Sequence, residues 1–424
     1  MSYTFDVEVS QNEYLPDAGT MMDAVISVEC KLDGGAPAGP PGSVAQVIMI
    51  DCSMSMTGAK LEEAKQATQV AIDTLRDGVE FAIVAGNHWA RLVYPENGGL
   101  AVVSNSTRAK ARHALRRVVA DGGTAIGAWL DLTRELLAGH PAQIKHAILL
   151  TDGKNESQAA ARFREALDRC RGVFVCDSRG VGSQWNAEPL LAIAECLLGS
   201  AEGLPDAGGL SADFQAIVEG VMGKMAADVL LRVWTATDTT ITLLAQNYPW
   251  IADQLGQPSP AGARFTDYPL GPWGDEHRDY HLRLQVPPGQ PGDERAGARV
   301  SVVVGDVEFA EKTVWIQWTD DPVLSTKMNA KVAGATKQTE LADAIAAGLN
   351  ALGAGRRELA TLKLAQAVDL ARQHGREDTL KVLRTIVDVP DSPGGTVRIR
   401  RSMADVDAEM ARLESRKTMR THES

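Results

Sequence analysis

The sequence predicts a doubly wound α/β unit inserted in an antiparallel β-sandwich and followed by a small helical domain. Three observations carry this. Between residues 44 and 226, short β-branched apolar runs alternate with stretches of helical periodicity, the pattern of a mainly parallel sheet with helices on both faces. On either side, residues 3–32 and 228–320 read as short alternating strands separated by turns, which is an antiparallel pattern. From 338 to 388, apolar residues recur at helical spacing with only short breaks.

In chain order, residues 3–10 and 21–32 alternate apolar with polar (Phe5, Val7, Val9; Val25, Val28, Cys30, Leu32) around a turn at Pro16-Asp17-Ala18-Gly19. An isolated strand pair is marginal in water, so these two strands are expected to join the later β segment. Residues 33–43, rich in Gly and Pro, predict a linker. Val44 to Ile50 is a buried parallel strand. Leu61, Ala64, Thr68, Ala71, Ile72 and Leu75 mark a helical face, Val79 to Ala85 a strand, and 91–94 and 101–103 two short strands. Helices are predicted over 106–119, 124–137, 157–170, 187–198 and 211–226, and strands over 146–150 and 172–176. Five strands follow, at 229–235, 240–244, 280–286, 298–304 and 312–318. In the helical region, breaks at Gly353-Ala-Gly355 and His374-Gly375 make consecutive helices antiparallel neighbours. The expected domains are therefore 1–43, 44–226, 227–320, 321–388 with a helical hairpin or three helices, and a mobile polar tail at 389–424, in which Thr396-Val-Arg-Ile-Arg-Arg401 reads as one further strand and 402–424 as the mobile part.

The 424-residue chain has the composition of a globular protein, 44% hydrophobic and 23% charged. Its net charge of −12 argues against nucleic-acid or anionic-membrane binding. No run is long and apolar enough for membrane insertion, and the N-terminus has neither the basic nor the apolar region of a signal peptide. Five scattered cysteines with no CxxC pair read as reduced thiols and, with the missing signal, predict a cytoplasmic protein.

Three segments carry matching chemistry. Asp51, Ser53 and Ser55 alternate just past the C-terminal end of the first parallel strand, the edge where open α/β sheets place their ligands. Thr124 follows Gly122-Gly123 at the start of a helix. Asp152 ends the strand Ala147-Ile-Leu-Leu150-Thr151. Two carboxylates and three hydroxyls suit a hard cation, Mg²⁺ before any softer metal, with Mn²⁺ or Ca²⁺ as substitutes. Read alone, Asp-x-Ser-x-Ser is equally a strand ending in a capped turn, with Ser55 or Thr57 as N-cap.

On those residues, together with Gly58-Ala-Lys60-Leu61 and Thr151-Asp152-Gly153, residues 44–226 resemble a von Willebrand factor type A domain with a metal-ion-dependent adhesion site. The resemblance implies that Asp51, Ser53, Ser55 and Thr124 ligate the metal directly or nearly so. It implies that Asp152 acts through water, that a partner protein's Asp or Glu completes the coordination, and that the helix at 211–226 shifts on binding. The flanking pattern resembles bacterial intracellular proteins with an A domain inserted in a β-sandwich. From that comes an expected scaffold or adaptor role in signalling, and an expected Ser/Thr kinase or phosphothreonine-binding (FHA-type) partner for the tail. There Thr418 and Thr421 stand in a basic stretch expected to be exposed. Asp51 is likewise expected at the surface, so that Asp51→Ala removes a charge without harm to the fold.

The competing class is an Mg²⁺-dependent phosphoryl-transfer enzyme of the haloacid dehalogenase type, which also puts an Asp after its first strand. Such an enzyme needs a second acid two residues on, where this chain has Ser53. P-loop and Gly-x-Ser-x-Gly patterns are also absent. The eight histidines show no ligand spacing. The sequence therefore predicts a binding protein without catalytic residues.

Overall fold

The computed structural model describes residues 3–32, 43–389, 397–400 and 403–420. These form two compact units. One holds the described residues up to 227 from 43, with 404–409. The other holds the rest. The predicted linker, except for Ser43, lies outside the described residues.

The chain starts in the second unit with β1 (Tyr3–Gln11), β2 (Leu15–Pro16) and β3 (Met21–Leu32). The first unit follows: β4 (Val44–Asp51), α1 (Ala59–Thr74), β5 (Glu80–Gly86), β6 (Ala90–Tyr94), β7 (Ala101–Val102), α2 (Asn105–Arg116), α3 (Ile126–Leu137), β8 (Ile144–Thr151), α4 (Ala160–Cys170), β9 (Val175–Val181), α5 (Ala187–Cys196), β10 (Ala201–Leu204) and α6 (Leu210–Met222). Every residue of β4 is buried, as the apolar run Val47–Ile50 requires of a strand covered on both faces, and the one polar residue before it, Gln46, meets His146 at 3.0 Å.

The sheet order is β10-β9-β8-β4-β5-β6, with β7 also on β5. The strands from β10 to β5 run parallel, and β6 and β7 pair antiparallel with β5. On one face, Leu61 and Ile72 of α1, Leu115 of α2 and Phe214 and Val218 of α6 share a core with Ile48, Ile50, Ile83 and Ala85. Gly86 alternates with Ala85 and so faces the other way. There Trp129 of α3 packs so close that a Cβ on Gly86 would lie 2.2 Å from its ring. From β4 the chain runs to β5 on one side and returns to β8 on the other. The C-terminal ends of β4 and β8 therefore flank the topological switch point, where a crevice opens.

Two elements of this unit differ from expectation. Strand β9 spans Val175–Val181 where the sequence predicts 172–176, and β10 is not predicted at all. Asp177, Ser178 and Arg179 look like a strand's end by pattern, yet they lie within the sheet. His146 pairs with Asp177 at 2.9 Å and Asp213 with Arg179 at 2.8 Å. Polar residues stay in a buried strand when each meets a partner.

The second unit continues with β11 (Ala226–Thr235), β12 (Thr240–Tyr248), β13 (Ser259–Gly262), β14 (Phe265–Trp273), β15 (Glu276–Gln285), β16 (Glu294–Val304) and β17 (Val307–Thr319). β1 pairs with β3 and β3 with β15, in a four-stranded sheet ordered β1-β3-β15-β12. A six-stranded sheet is ordered β13-β14-β11-β16-β17-β2. The two sheets meet through Phe5, whose ring lies 5.6 Å from that of Trp273 and 5.5 Å from that of Phe309. β13 and β14 escape the sequence reading because Pro260, Pro269, Gly271 and Pro272 mark that stretch as a loop. Helices α7 (Pro322–Ser325), α8 (Ala330–Gly353), α9 (Arg357–Gln373) and α10 (Glu377–Ile386) follow. Val332 and Ala335 of α8 pack against Val25 of β3.

In the tail the strand expected at 396–401 is present, and the mobility expected of 402–424 is corrected for its described residues. Within 389–424 the described residues include one strand of a two-stranded sheet, β18 (Val387–Asp388) with β19 (Arg398–Ile399), and the helix α11 (Asp405–Glu414). Ala411 and Leu413 are buried, and the backbone beyond is met by hydrogen bonds from Ile251 to Arg416 and from Thr418 to Pro249. The acidic first turn and the spacing of Val406, Met410 and Leu413 are a helix signal that the low overall apolar content hides. The Thr418 hydroxyl is buried, without a hydrogen-bond partner among the described residues, so its expected exposure is corrected as well. Thr421 lies outside the described residues.

Candidate metal centre

β4 delivers Asp51 to the sheet edge, and a single turn of 3₁₀ helix, Met54–Met56, folds the chain back toward α1. The Asp51 carboxylate accepts from the Ser53 backbone N–H through Oδ1 at 2.7 Å, and from the Thr151 hydroxyl through Oδ2 at 2.6 Å. Asp51 is wholly buried, which corrects its expected surface position. Burial, helped by the nearby Asp152 charge, pushes its carboxyl up to about 6 against the lowering effect of the Ser53 and Thr151 hydrogen bonds.

The second loop is tied to the first. Met54 N–H donates to the Gly122 carbonyl at 2.9 Å, and Asp121 N–H to the Cys52 carbonyl at 2.8 Å. Gly122 adopts a left-handed φ of 72°, which explains the first glycine of Gly122-Gly123-Thr124. The third loop, after β8, satisfies the free N–H groups at the start of α3. Thr124 N–H donates to Ser157 Oγ, Ile126 N–H to Asn155 Oδ1 and Gly127 N–H to Gln158 Oε1. Those bonds hold Thr124 against the site.

The structure brings together all five residues singled out from sequence. Ser53 Oγ and Ser55 Oγ lie 3.0 Å apart, and Ser55 Oγ donates to Asp152 Oδ1 at 2.7 Å. A Cβ on Gly153 would lie 2.9 Å from Thr124 Oγ1, 3.5 Å from Ser55 Oγ and 3.8 Å from Asp51 Oδ2. Oxygens from three loops thus converge on one small cradle beside Gly153. Among the described residues no group of three or more His, Cys, Asp or Glu side chains is placed to hold a metal. The donor set here is two buried carboxylates and hydroxyls, which fits a hard divalent cation and not zinc in a thiolate or imidazole site.

Lys60, in the first turn of α1, pairs with Asp152 Oδ2 at 2.5 Å. In the sequence, Lys60 is part of the Gly58-Ala-Lys60-Leu61 run and has no legible role. Its ammonium offsets one carboxylate of the two. Thr151 stands in the motif without a legible role, and Ser157 and Asn155 carry no signal in the sequence, because a hydroxyl or amide has none until its partner is known. His146 is a satisfied core residue, between Gln46 Oε1 at 3.0 Å and Asp177. The five cysteines are buried thiols. The crevice above the site, about 610 Å³, is walled by Ser53, Ser55, Thr124, Gly153, Ser183 and Asp405 among others.

The cradle makes a prediction. An alanine at Gly153 must displace Thr124 or its own loop, at a cost of about 1–3 kcal/mol. Gly153→Ala should therefore bind Mg²⁺ more weakly than the parent protein by titration calorimetry and unfold at lower temperature.

A doubly wound sheet with Asp-x-Ser-x-Ser after one central strand, and Thr and Asp on the neighbouring loops, defines the von Willebrand factor type A class. Residues 45–202 match the von Willebrand factor type A domain family, and residues 369–416 the von Willebrand factor type A C-terminal domain family. A solved von Willebrand factor type A protein from Catenulispora acidiphila is 39% identical, with a TM-score of 0.92 over 99% of this chain and 97% of that one. The chain belongs to the von Willebrand factor type A family. The ArnB paralog VWA2 from Sulfolobus acidocaldarius shares the fold at 14% identity, with a TM-score of 0.60 and 98% of each chain covered. A protein of Synechocystis sp. is 33% identical over 162 residues, and the match spans 36% of this chain and 36% of that relative's length. Domains of this family are general protein-interaction modules, usually without enzymatic activity. No helix among the described residues is long and apolar enough to cross a membrane.

Proposed function

We propose that this protein is a metal-dependent protein-binding scaffold that captures an acidic side chain of its partner. The carrying observation is the convergence of Asp51, Ser55 and Thr124 oxygens on the cradle at Gly153, with Ser53 and Asp152 hydrogen-bonded to it through Ser55. Mg²⁺ held there, or Mn²⁺ or Ca²⁺ in its place, would supply a Lewis-acidic position for a carboxylate. The chain's own residues do the rest. Thr151 and the Ser53 N–H orient Asp51, Lys60 and Ser55 orient Asp152, and the loop from Asn155 to Gln158 pins Thr124. Hydroxyl donors leave a bound cation short of negative charge, which favours an incoming Asp or Glu. Position 53 holds a hydroxyl engaged with Ser55 where a phosphoryl-transfer enzyme of similar fold needs an acid. The buried reduced thiols agree with a cytoplasmic setting.

The test is affinity capture from the native cell, with Mg²⁺ and with a chelator. A partner retained with Mg²⁺, released by chelator and lost with Asp51→Ala is the expected result. Equal capture in chelator would sink the proposal.

A further inference from the structure

Lys60 stands at an electrostatically unfavourable place. It lies in the first turn of α1, at the positive end of the helix dipole, where a carboxylate is favoured and a cation is not. Its own helix offers Glu62, yet Glu62 pairs with Lys65, and the Lys60 ammonium reaches off the helix to Asp152 Oδ2 at 2.5 Å. The stem of the side chain runs past the end of β9, where a Cβ on Gly182 would lie 3.6 Å from Lys60 Cε and 3.7 Å from Nζ. The ammonium is thereby seated between the loops that follow β8 and β9. Asp152 is wholly buried, and both its oxygens are taken, Oδ1 by the Ser55 hydroxyl at 2.7 Å and Oδ2 by Lys60. One carboxylate thus separates the ammonium from the candidate ligand Ser55.

The charges of the loaded centre then fail to cancel. Asp51 and Asp152 are its two carboxylates, and a divalent ion held by them is neutralised. Lys60 leaves one excess positive charge, which a single outside carboxylate cancels. The other charged residues on the crevice walls, Lys154, Glu156 and Asp405, are exposed, where water and salt screen them.

We infer that Lys60 is a resident counter-charge that weakens the hold on the metal and strengthens the hold on the partner's acid. This rests on the metal-binding reading above and deepens it, by naming the residue that makes an acid the required partner group. Both effects come from Coulomb interaction with the same ammonium. Its repulsion of the divalent ion opposes loading, and its attraction for an incoming carboxylate favours capture. A unit charge a few ångströms away, in surroundings of effective dielectric constant about 20, changes an affinity by about tenfold or more. A residue that only oriented Asp152 would affect both steps in the same direction, since a misplaced Asp152 serves neither.

The test uses the full chain, with Mn²⁺ as the metal probe and acetate as the carboxylate probe. Mn²⁺ affinity is measured by electron paramagnetic resonance, and acetate binding by its displacement of exchanging water from the bound ion in water-proton relaxation. Lys60→Met keeps the stem beside Gly182 and removes the charge. It should bind Mn²⁺ about tenfold more tightly, and its Mn²⁺ complex should bind acetate several-fold more weakly. Lys60→Gln, which removes the charge and keeps a donor for Asp152, should give the same opposite changes. Lys60→Arg, which keeps both, should stay at parental values. If the two charge-removing variants lose affinity for both probes, or change neither, while Asp51→Ala abolishes Mn²⁺ binding, the counter-charge role is overturned and the metal site stands. If the parental protein binds no Mn²⁺, the metal-binding reading itself falls and this inference with it.

Discussion

Asp51→Ala should abolish divalent-cation binding and leave the metal-free protein folded. The magnitudes explain why so buried a residue can be removed. With its carboxyl raised to about 6, ionised Asp51 costs about 3 kcal/mol at pH 7 relative to an exposed carboxylate. Alanine removes that cost. It also strands the Ser53 N–H, at about 1–3 kcal/mol for a buried group left unpaired, and leaves the Thr151 hydroxyl only its longer bonds with Gly153. The two effects are of similar size, so the metal-free melting temperature should move by only a few degrees. The metal response is another matter. Mg²⁺ at one hundred times its dissociation constant stabilises a one-site protein by about 2.7 kcal/mol. The parental protein should show that increment in thermal melts, and Asp51→Ala should show none at the same concentration. An undiminished Mg²⁺ shift in the mutant would remove Asp51 from the site.

Asp177→Ala should destabilise the first unit strongly without touching the metal response. Asp177 sits mid-strand in β9, bonded to His146 Nε2 at 2.9 Å and to the Ser200 hydroxyl at 2.6 Å, with Arg179 beside it. Burial by itself would raise its carboxyl. The His146 hydrogen bond and charge, the Arg179 charge and the Ser200 hydroxyl outweigh burial and hold it well below the usual carboxylate range. Deleting one partner of such a buried network costs about 3–5 kcal/mol, because the remaining charges lose their compensation. The pH dependence has a definite sign. The folded-state value lies below the unfolded one, so the unfolded chain binds more protons as acidity increases. The stabilisation is fully present above about pH 4, the unfolded carboxylate value, and is lost as pH falls toward the folded value. Urea unfolding at pH 7 and at about pH 3 should show a gap between parent and mutant that narrows in acid. A constant gap would mean that Asp177 acts by packing alone.

The alternation of strands and helices after Val44 is legible because a covered parallel strand needs a largely apolar run, and β4 has one in which Gln46 is the sole polar residue before Asp51. The five candidate ligands were legible because each follows a recognisable strand end or helix start. Lys60 and Thr151 were visible as letters only, since their roles lie in contacts with Asp152 and Asp51 across the sheet edge. Strand β9 begins later than the sequence predicts for a related reason. Polarity normally ends a strand, and Asp177 and Arg179 stay within one only because His146, Ser200 and Asp213 come from elsewhere in the chain to meet them. Composition predicts a mobile tail, whereas the order of its described residues comes from Ala411, Leu413 and the backbone bonds at Arg416 and Thr418.

By itself, then, the sequence determined the α/β class, the candidate ligands and their hard-cation chemistry, because these depend on periodicity and residue type close along the chain. Only the tertiary structure decided that Asp51 is buried, that Lys60 neutralises Asp152 and that Gly153 is the cradle. Those depend on which strand lies beside which and on segments far apart in the chain. Local pattern does not encode such proximity. It arises when the sheet order places β4 against β8 and when Lys60 reaches Asp152 across the sheet edge.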